Sequence, residues 1–180
     1  DVLETGGYAR DVSAYDNKIF VAASAAGTQI WEDDNGVVSK VFNHQFGSAS
    51  ATGLKVEPEF KLILSVSKDQ GYLRQLNSDL NAFDSVYINS PSVLIWESEH
   101  FGDQNTRDMA SARVNDSLLV LYNTDTDIGD GLRFTFLNRF TDALEGYHYW
   151  EANTIKKYTG AKNYGIDANG SLVASSHGEL

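Results

Sequence analysis

Short apolar runs alternate with polar segments along the whole chain, and four of these runs resemble one another. Each run is rich in Val, Ile and Leu, which is typical of a β-strand that is buried on both faces. Nowhere do the apolar residues keep the spacing of an amphipathic helix. The four runs are residues 18–24, 61–67, 117–123 and 171–176.

A shorter strand precedes each apolar run, and two turn-like residues separate the two strands. Three of the four turn pairs carry Asn, Asp or Gly, which tolerate the backbone conformation of a two-residue hairpin. The pattern therefore predicts four hairpins. The turn pairs are residues 16–17, 59–60, 115–116 and 169–170, and the preceding strands are residues 11–14, 54–57, 109–114 and 164–167.

A glycine and a third strand follow each apolar run, and each complete unit continues into a fourth, more polar strand. The glycines recur about every 44 to 60 residues, which is close to the period of a β-propeller blade. A polar fourth strand suits the outer edge of such a blade. The glycines are Gly27, Gly71, Gly131 and Gly178, and the predicted fourth strands are residues 36–42, 82–88 and 144–151.

The four-stranded repeat predicts an all-β fold, a β-propeller with about three and a half four-stranded antiparallel blades. We predict one partial propeller domain over residues 1–180. Because this number of blades does not close a ring, we expect a larger propeller of about six to eight blades. The remaining blades would come from a longer chain or from a partner. The predicted blades are residues 7–48, 50–100, 105–155 and, incompletely, 160–180.

Three segments of the first unit follow a known repeat pattern. Residues 7–12 read Gly-Tyr-Ala-Arg-Asp-Val, residues 18–22 read Lys-Ile-Phe-Val-Ala, and residues 27–31 read Gly-Thr-Gln-Ile-Trp. This order resembles the LVIVD-repeat group of β-propellers, and residues 106–109 repeat its opening, whereas the second and fourth units lack the Arg-Asp pair. The resemblance implies a secreted or cell-surface bacterial protein, often a scaffold, and it carries no agreed catalytic residues.

The charge balance and the absence of cysteine exclude several classes of function. Against 25 acidic residues there are 14 basic ones, a formal net charge of −11, and such a surface repels the phosphates of nucleic acids. The lack of cysteine excludes disulfides, thiolate catalysis and cysteine-based zinc sites. No apolar run has the length of a membrane-spanning helix, so we expect no transmembrane segment.

An acidic insertion between the second and third strands of the third unit is a candidate calcium site. Its side chains offer closely spaced oxygen atoms, which calcium prefers. An EF-hand is excluded, because Ile128 and Phe134 occupy the positions that need Gly and Glu. The alternative is a solvated acidic hairpin tip. The candidate ligands are Asn123, Asp125, Asp127 and Asp130.

Two Arg-Asp pairs lie where innermost strands of the predicted blades begin. Arg10 and Asp11 open the first unit, and Arg107 and Asp108 open the third. They are candidates for a ligand site beside the central channel. We favour the alternative that they join adjacent blades through charge-assisted hydrogen bonds.

No catalytic motif is recognisable in the sequence, since it has no nucleophile elbow, phosphate-binding loop or His-Glu-x-x-His stretch. We therefore interpret the chain as a non-catalytic scaffold or binding propeller. It would mediate protein–protein interaction in an extracytoplasmic assembly that is secreted, periplasmic or on the cell surface. The alternatives are a carbohydrate-active propeller enzyme and a lectin-like module that stacks sugars on the aromatic residues 147–150.

Overall fold

The computed structural model is built almost entirely from antiparallel β-strands. It describes residues 2–45, 50–67, 70–83, 93–97, 109–125, 131–141, 143, 148–158, 163–168 and 173–177. Within these residues the only helical element is a 3₁₀ turn, Pro58–Phe60. The described part of the chain contains no helix that is long and apolar enough to span a membrane.

Within the described residues, fourteen strands form four sheets, and in each sheet the strands lie in sequence order. Such a meander is the arrangement of a propeller blade. The sheets have the orders β1-β2-β3-β4, β5-β6-β7-β8, β9-β10-β11-β12 and β13-β14. The first two comprise β1 Asp11–Tyr15, β2 Lys18–Ala22, β3 Thr28–Asp34, β4 Val37–His44, β5 Ala51–Glu57, β6 Leu62–Ser67, β7 Gln70–Gln75 and β8 Val93–Glu97. The others comprise β9 Met109–Asn115, β10 Leu118–Asp125, β11 Gly131–Thr141, β12 His148–Tyr158, β13 Asn163–Ala168 and β14 Val173–His177.

The chain divides into two compact units, Asp1–Ser92 and Val93–Leu180. In the first unit, β1 and β2 form the predicted two-residue hairpin, with Asp16 at a positive φ of 52°. The second hairpin differs from its prediction. The 3₁₀ turn Pro58–Phe60 and left-handed Lys61 connect β5 to β6, because a proline at the start of the connection favours a helical turn over a two-residue hairpin.

An apolar core joins the first sheet (β1–β4) to the second sheet (from β5 onward) inside the first unit. Residues of β2 and β3 that point to one side meet residues of β5 and β6, and Phe42, Leu80 and Phe83 cover the margin. Alternation along a strand sends the neighbouring residues to the other side of the first sheet. There Val21, Ala23 and Trp31 form a second cluster, which the N-terminal Leu3 contacts. The core residues between the sheets are Phe20, Ala22, Ile30, Ala51, Leu54, Val56, Ile63 and Leu76.

The second unit contains the longest hairpin, in which β11 and β12 pair along eleven residues from Gly131↔Tyr158 to Thr141↔His148. β10 pairs with β11 as far as Asp125↔Gly131. Among the described side chains of this unit, Ala110, Ala112, Val120 and Leu137 are buried. β13 and β14 form the last described pair.

The predicted fourth strands were placed less well than the others. The first, residues 36–42, coincides with β4 to within two residues at its C-terminal end. Of the second, residues 82–88, only residues 82 and 83 are described, and Phe83 makes an isolated bridge with Leu76. Residues 84–88 lie outside the described residues, and the fourth described strand of this sheet is β8. The third, predicted at residues 144–151, is β12, which begins at His148 and ends at Tyr158. It is longer than predicted because it pairs with β11 along its whole length. An outer strand pairs with only one neighbouring strand and is partly exposed. Its sequence therefore has a weak apolar pattern, and its bounds are difficult to predict.

Candidate functional site

Asp11 lies at the start of β1 and connects the two sheets of the first unit. One carboxylate oxygen accepts the backbone N–H of Val12 at 2.8 Å. The other accepts the backbone N–H of Leu54, on β5, at 2.9 Å. Leu54 is only 3% exposed, so this N–H depends on the carboxylate for its hydrogen bond. Both carboxylate oxygens of Asp11 thus accept hydrogen bonds from backbone N–H groups.

Arg10 and Ser24 extend the same contact. The Arg10 backbone N–H donates to the carbonyl of Ala22 at 2.8 Å, and its Nε donates to Ser24 Oγ at 3.3 Å. Ser24 and Ala51 exchange two backbone hydrogen bonds, at 3.1 and 3.0 Å, and so join the sheets directly. We call Arg10, Asp11, Ser24, Ala51 and Leu54 the inner seam. Its contacts join the two sheets, and ligand binding by Arg10 and Asp11 stays a prediction.

Replacing Asp11 with alanine is expected to lower the free energy of unfolding by about 1–3 kcal/mol, because the buried Leu54 N–H loses its acceptor. Asp11→Asn should lose less, since its amide oxygen still accepts this hydrogen bond. Urea unfolding followed by tryptophan fluorescence measures both changes. Asp34→Ala, at an exposed turn, is the control and should change stability by less than about 0.5 kcal/mol. Equal losses for Asp11→Ala and Asp34→Ala would contradict the role of the seam.

The other predicted site residues are placed only in part. Asn123 and Asp125 belong to the last residues of β10, where they pair with Arg133 and Gly131 of β11. Asp127 and Asp130, as well as Arg107 and Asp108, lie outside the described residues. Among the residues that the structure describes, no group of three or more His, Asp or Glu side chains could hold a metal ion. Calcium binding at this hairpin stays a prediction.

A second group of side chains, which the sequence reasoning missed, lies at the outer strand of the first sheet. Phe83 is its centre: its ring centroid lies 4.7 Å from that of Phe42 and 5.0 Å from that of His44. The Arg74 guanidinium carbon lies 5.1 Å from the same ring. We call Phe42, His44, Arg74 and Phe83 the Phe83 cluster. The four residues have no common sequence spacing, so only the packing of the two sheets reveals them.

The loop before Phe83 is held by its own hydrogen bonds. Asn77 donates its backbone N–H to the carbonyl of Ala82 at 2.9 Å. The Asn77 side-chain oxygen accepts the N–H groups of Asn81, at 3.0 Å, and of Ala82, at 3.3 Å. The bridge between Leu76 and Phe83 closes the loop. A polar asparagine therefore sets the position of an aromatic ring between the sheets.

Electrostatics in the Phe83 cluster act on His44. The imidazole is half-buried, and this burial lowers the pKa of His44 below its usual value of 6.5. The positive charge of Arg74 lowers the pKa of His44 further. His44 is therefore held in its neutral form at neutral pH.

A third polar group secures the opposite end of the first sheet. Lys18 Nζ donates to Glu32 Oε1 and to Asn17 Oδ1, both at 2.8 Å. Asn17 Nδ2 donates to the same Glu32 oxygen at 3.1 Å. These hydrogen bonds, first that of Lys18 and then that of Asn17, lower the pKa of Glu32. The group fastens the β1–β2 hairpin to β3.

Several solved structures have a similar fold. The computationally designed Ika4 protein matches with a TM-score of 0.52 at 11% identity, over 95% of this chain and 86% of that chain. The Cps50 (Swd1) β-propeller domain of Myceliophteria thermophila matches with a TM-score of 0.55 at 7% identity, over 94% of this chain and 50% of that chain. The AfRom2 CNH domain matches with a TM-score of 0.50 at 12% identity, over 94% and 49% of the two chains.

These similarities concern the fold alone, because the identities are low. The chain spans about half the length of the Cps50 and AfRom2 domains. Comparison with protein-family models and with curated proteins gives no match. The chain is thus a protein of antiparallel β-sheets, each a meander, that is structurally similar to β-propeller domains.

Proposed function

We propose that this chain is part of a β-propeller of about six to eight blades that acts as a non-catalytic scaffold. The observation that supports the proposal is the hydrogen bonding of the Asp11 carboxylate. This carboxylate, a candidate for a ligand site beside the central channel, accepts two backbone N–H groups and joins one sheet to the next. A carboxylate with this role is a structural group, and it is not available as a general acid or nucleophile.

The exposed acidic turns indicate which surface would meet a partner. In a meander, the β1–β2 and β3–β4 turns lie at the same end of the sheet, away from the inner seam. Asp16 and Asp34 are exposed at this end of the first sheet, and Asp79 is exposed in the loop that follows β7. With a net charge of −11 for the chain, this acidic turn end favours a protein partner with a basic surface.

We further propose that the assembly is extracytoplasmic. The resemblance of residues 7–12, 18–22 and 27–31 to LVIVD repeats supports this location. The missing blades would then come from the rest of a longer chain or from a neighbouring subunit.

The test begins with cross-linking of the native full-length protein in its own cells, followed by mass spectrometry to identify the partner. Binding of the purified partner should weaken about tenfold in the double variant Asp34→Lys/Asp79→Lys, since charge reversal repels a basic surface. Glu4→Lys is the matched control, because Glu4 is exposed in the N-terminal segment and lies outside the acidic turn end.

The outcome that would contradict the scaffold proposal is equally specific. A glycan array that binds the protein, or hydrolysis of a polysaccharide, together with no cross-linked protein, would favour the carbohydrate-active alternatives. Equal binding by the double variant and by Glu4→Lys would remove the acidic turn end from the interface.

A further inference from the structure

The turn between β3 and β4 is an exposed Asn-Gly pair. Asp34 and Val37 pair at the end of the hairpin, so Asn35 and Gly36 form the turn between them. Both turn residues have a positive φ, 54° for Asn35 and 90° for Gly36, as a two-residue hairpin turn of this sequence requires. Both are also exposed, so water and hydroxide can reach them.

Asparagine followed by glycine is a chemically reactive pair. The backbone nitrogen of the second residue can attack the side-chain carbonyl carbon of the first and close a succinimide ring, and such an intramolecular attack is favoured by proximity. A side chain on the second residue hinders the attack, and glycine has none. No atom lies within 4 Å of the position that a Cβ of Gly36 would occupy. The nitrogen of Gly36 therefore lies in an uncrowded part of the turn.

Two carboxylates hold the two groups that would react. The Gly36 N–H donates to Asp33 Oδ1 at 2.7 Å, and Asn35 Nδ2 donates to Asp34 Oδ1 at 2.8 Å. The first of these hydrogen bonds controls the reactivity, because the nitrogen attacks only after it has lost its proton. A charge-assisted hydrogen bond stabilises the N–H, and a carboxylate disfavours a second negative charge beside it. Asp33 therefore opposes the attack by Gly36.

We propose that Asn35 is a site of spontaneous deamidation, whose rate is restrained by the carboxylate of Asp33. The Gly36 nitrogen gives its proton to hydroxide and forms a bond to Cγ of Asn35. The bond from Cγ to Nδ2 breaks, and the amide nitrogen takes a proton from water and leaves as ammonia. Water then opens the succinimide at one of its two carbonyl carbons, which yields aspartate or isoaspartate at residue 35. This reaction does not depend on the scaffold function proposed above.

Deamidation changes the end of the hairpin permanently. Both products carry a carboxylate in place of the amide, directly after the carboxylates of Asp33 and Asp34, and like charges so close together repel. In isoaspartate the backbone also passes through the side-chain carbon, which lengthens the turn. A longer turn no longer fits the pairing of Asp34 with Val37. The tip of the β3–β4 hairpin therefore loosens as the molecule ages.

Peptide mapping by mass spectrometry tests the modification, with the full chain kept folded in mildly alkaline buffer. The peptide that contains Asn35 should gain, progressively with time, the mass difference between an amide and a carboxylic acid. Asn17 is the internal control, because it lies in the β1–β2 turn but is followed by Lys18. Its conversion should be severalfold slower. In Asn35→Gln the longer side chain should abolish the mass increase of this peptide.

Two variants test the restraint by Asp33. Conversion of Asn35 should be severalfold faster in Asp33→Ala than in the wild type. Asp34→Ala is the matched control, since it removes a carboxylate from the same turn but leaves the hydrogen bond of the Gly36 N–H in place. It should change the rate less. In urea, where this hydrogen bond is lost, the wild type and Asp33→Ala should convert Asn35 at the same rate.

Three results would overturn these inferences. The absence of a mass increase at Asn35, or one no faster than at Asn17, would remove the modification site. Equal acceleration in Asp33→Ala and Asp34→Ala would attribute the restraint to the general negative charge of the turn. A difference between the wild type and Asp33→Ala that persists in urea would attribute it to the local sequence and not to the folded turn.

Discussion

Replacement of Phe20 by alanine is expected to lower the free energy of unfolding by about 3–5 kcal/mol. Phe20 lies on β2 with no exposed surface, in the core between the two sheets of the first unit. Its removal leaves a cavity lined by strand residues such as Ile30 and Ile63. A strand cannot relax into that space without breaking its own hydrogen bonds. The loss is a large part of the stability of a typical domain.

Urea unfolding monitored by tryptophan fluorescence measures this loss. Trp31, one of the three tryptophans, is buried on the other side of the same sheet, so part of the emission follows the unfolding of that sheet. Val37→Ala is the control, because Val37 is 70% exposed and should change stability by less than about 0.5 kcal/mol. If both substitutions had the same small effect, the packing of the two sheets would not stabilise the unit.

Replacement of Gly27 by alanine is the second change with a large expected effect. Gly27 has a φ of +87°, which costs a residue with a side chain about 1–3 kcal/mol. A Cβ at this position would overlap the carbonyl oxygen of His44 and lie 3.0 Å from Cα of Gln45. Relief of that overlap requires movement of β4, at a further cost of about 1–3 kcal/mol.

Gly36 is the matched control for Gly27. Its φ of +90° is nearly the same, but nothing lies within 4 Å of the position of a Cβ. Gly36→Ala should therefore show only the backbone cost, about 1–3 kcal/mol. The difference between the two variants in urea unfolding isolates the steric contribution at Gly27. If the two losses were equal, the close approach of His44 to Gly27 would be without energetic consequence.

The inner seam illustrates how a functional motif and a structural motif differ. Arg and Asp side by side at the start of a strand suit a ligand site as well as a connection between sheets, and the sequence favours the connection. The hydrogen bond from Leu54, which is 43 residues away from Asp11 in the sequence, shows the carboxylate in a connecting role. Because the Arg-Asp motif covers only two adjacent residues, it does not indicate which distant residue will bind the carboxylate.

The period and the apolar pattern of the sequence by themselves determined the kind of fold. The second strands were predicted with small errors at their ends, as β2 and β6 show, because a strand buried on both faces leaves a continuous apolar run. The hairpin at Asp16 was predicted as well, since its turn chemistry is local. The fourth strands were predicted less accurately, as β12 shows, which covers His148–Tyr158 and not residues 144–151, because an edge strand has little apolar pattern of its own.

Only the tertiary structure decided which distant side chains meet. It joined His44 to Phe83 and Arg74, and it gave Asp11 its partner on β5. It also made Gly27 indispensable through the carbonyl of His44. The physical reason is the same for all three. Strand patterns are set by neighbours along the chain, whereas contacts between sheets depend on how two faces stack, and residues with no common spacing can meet there.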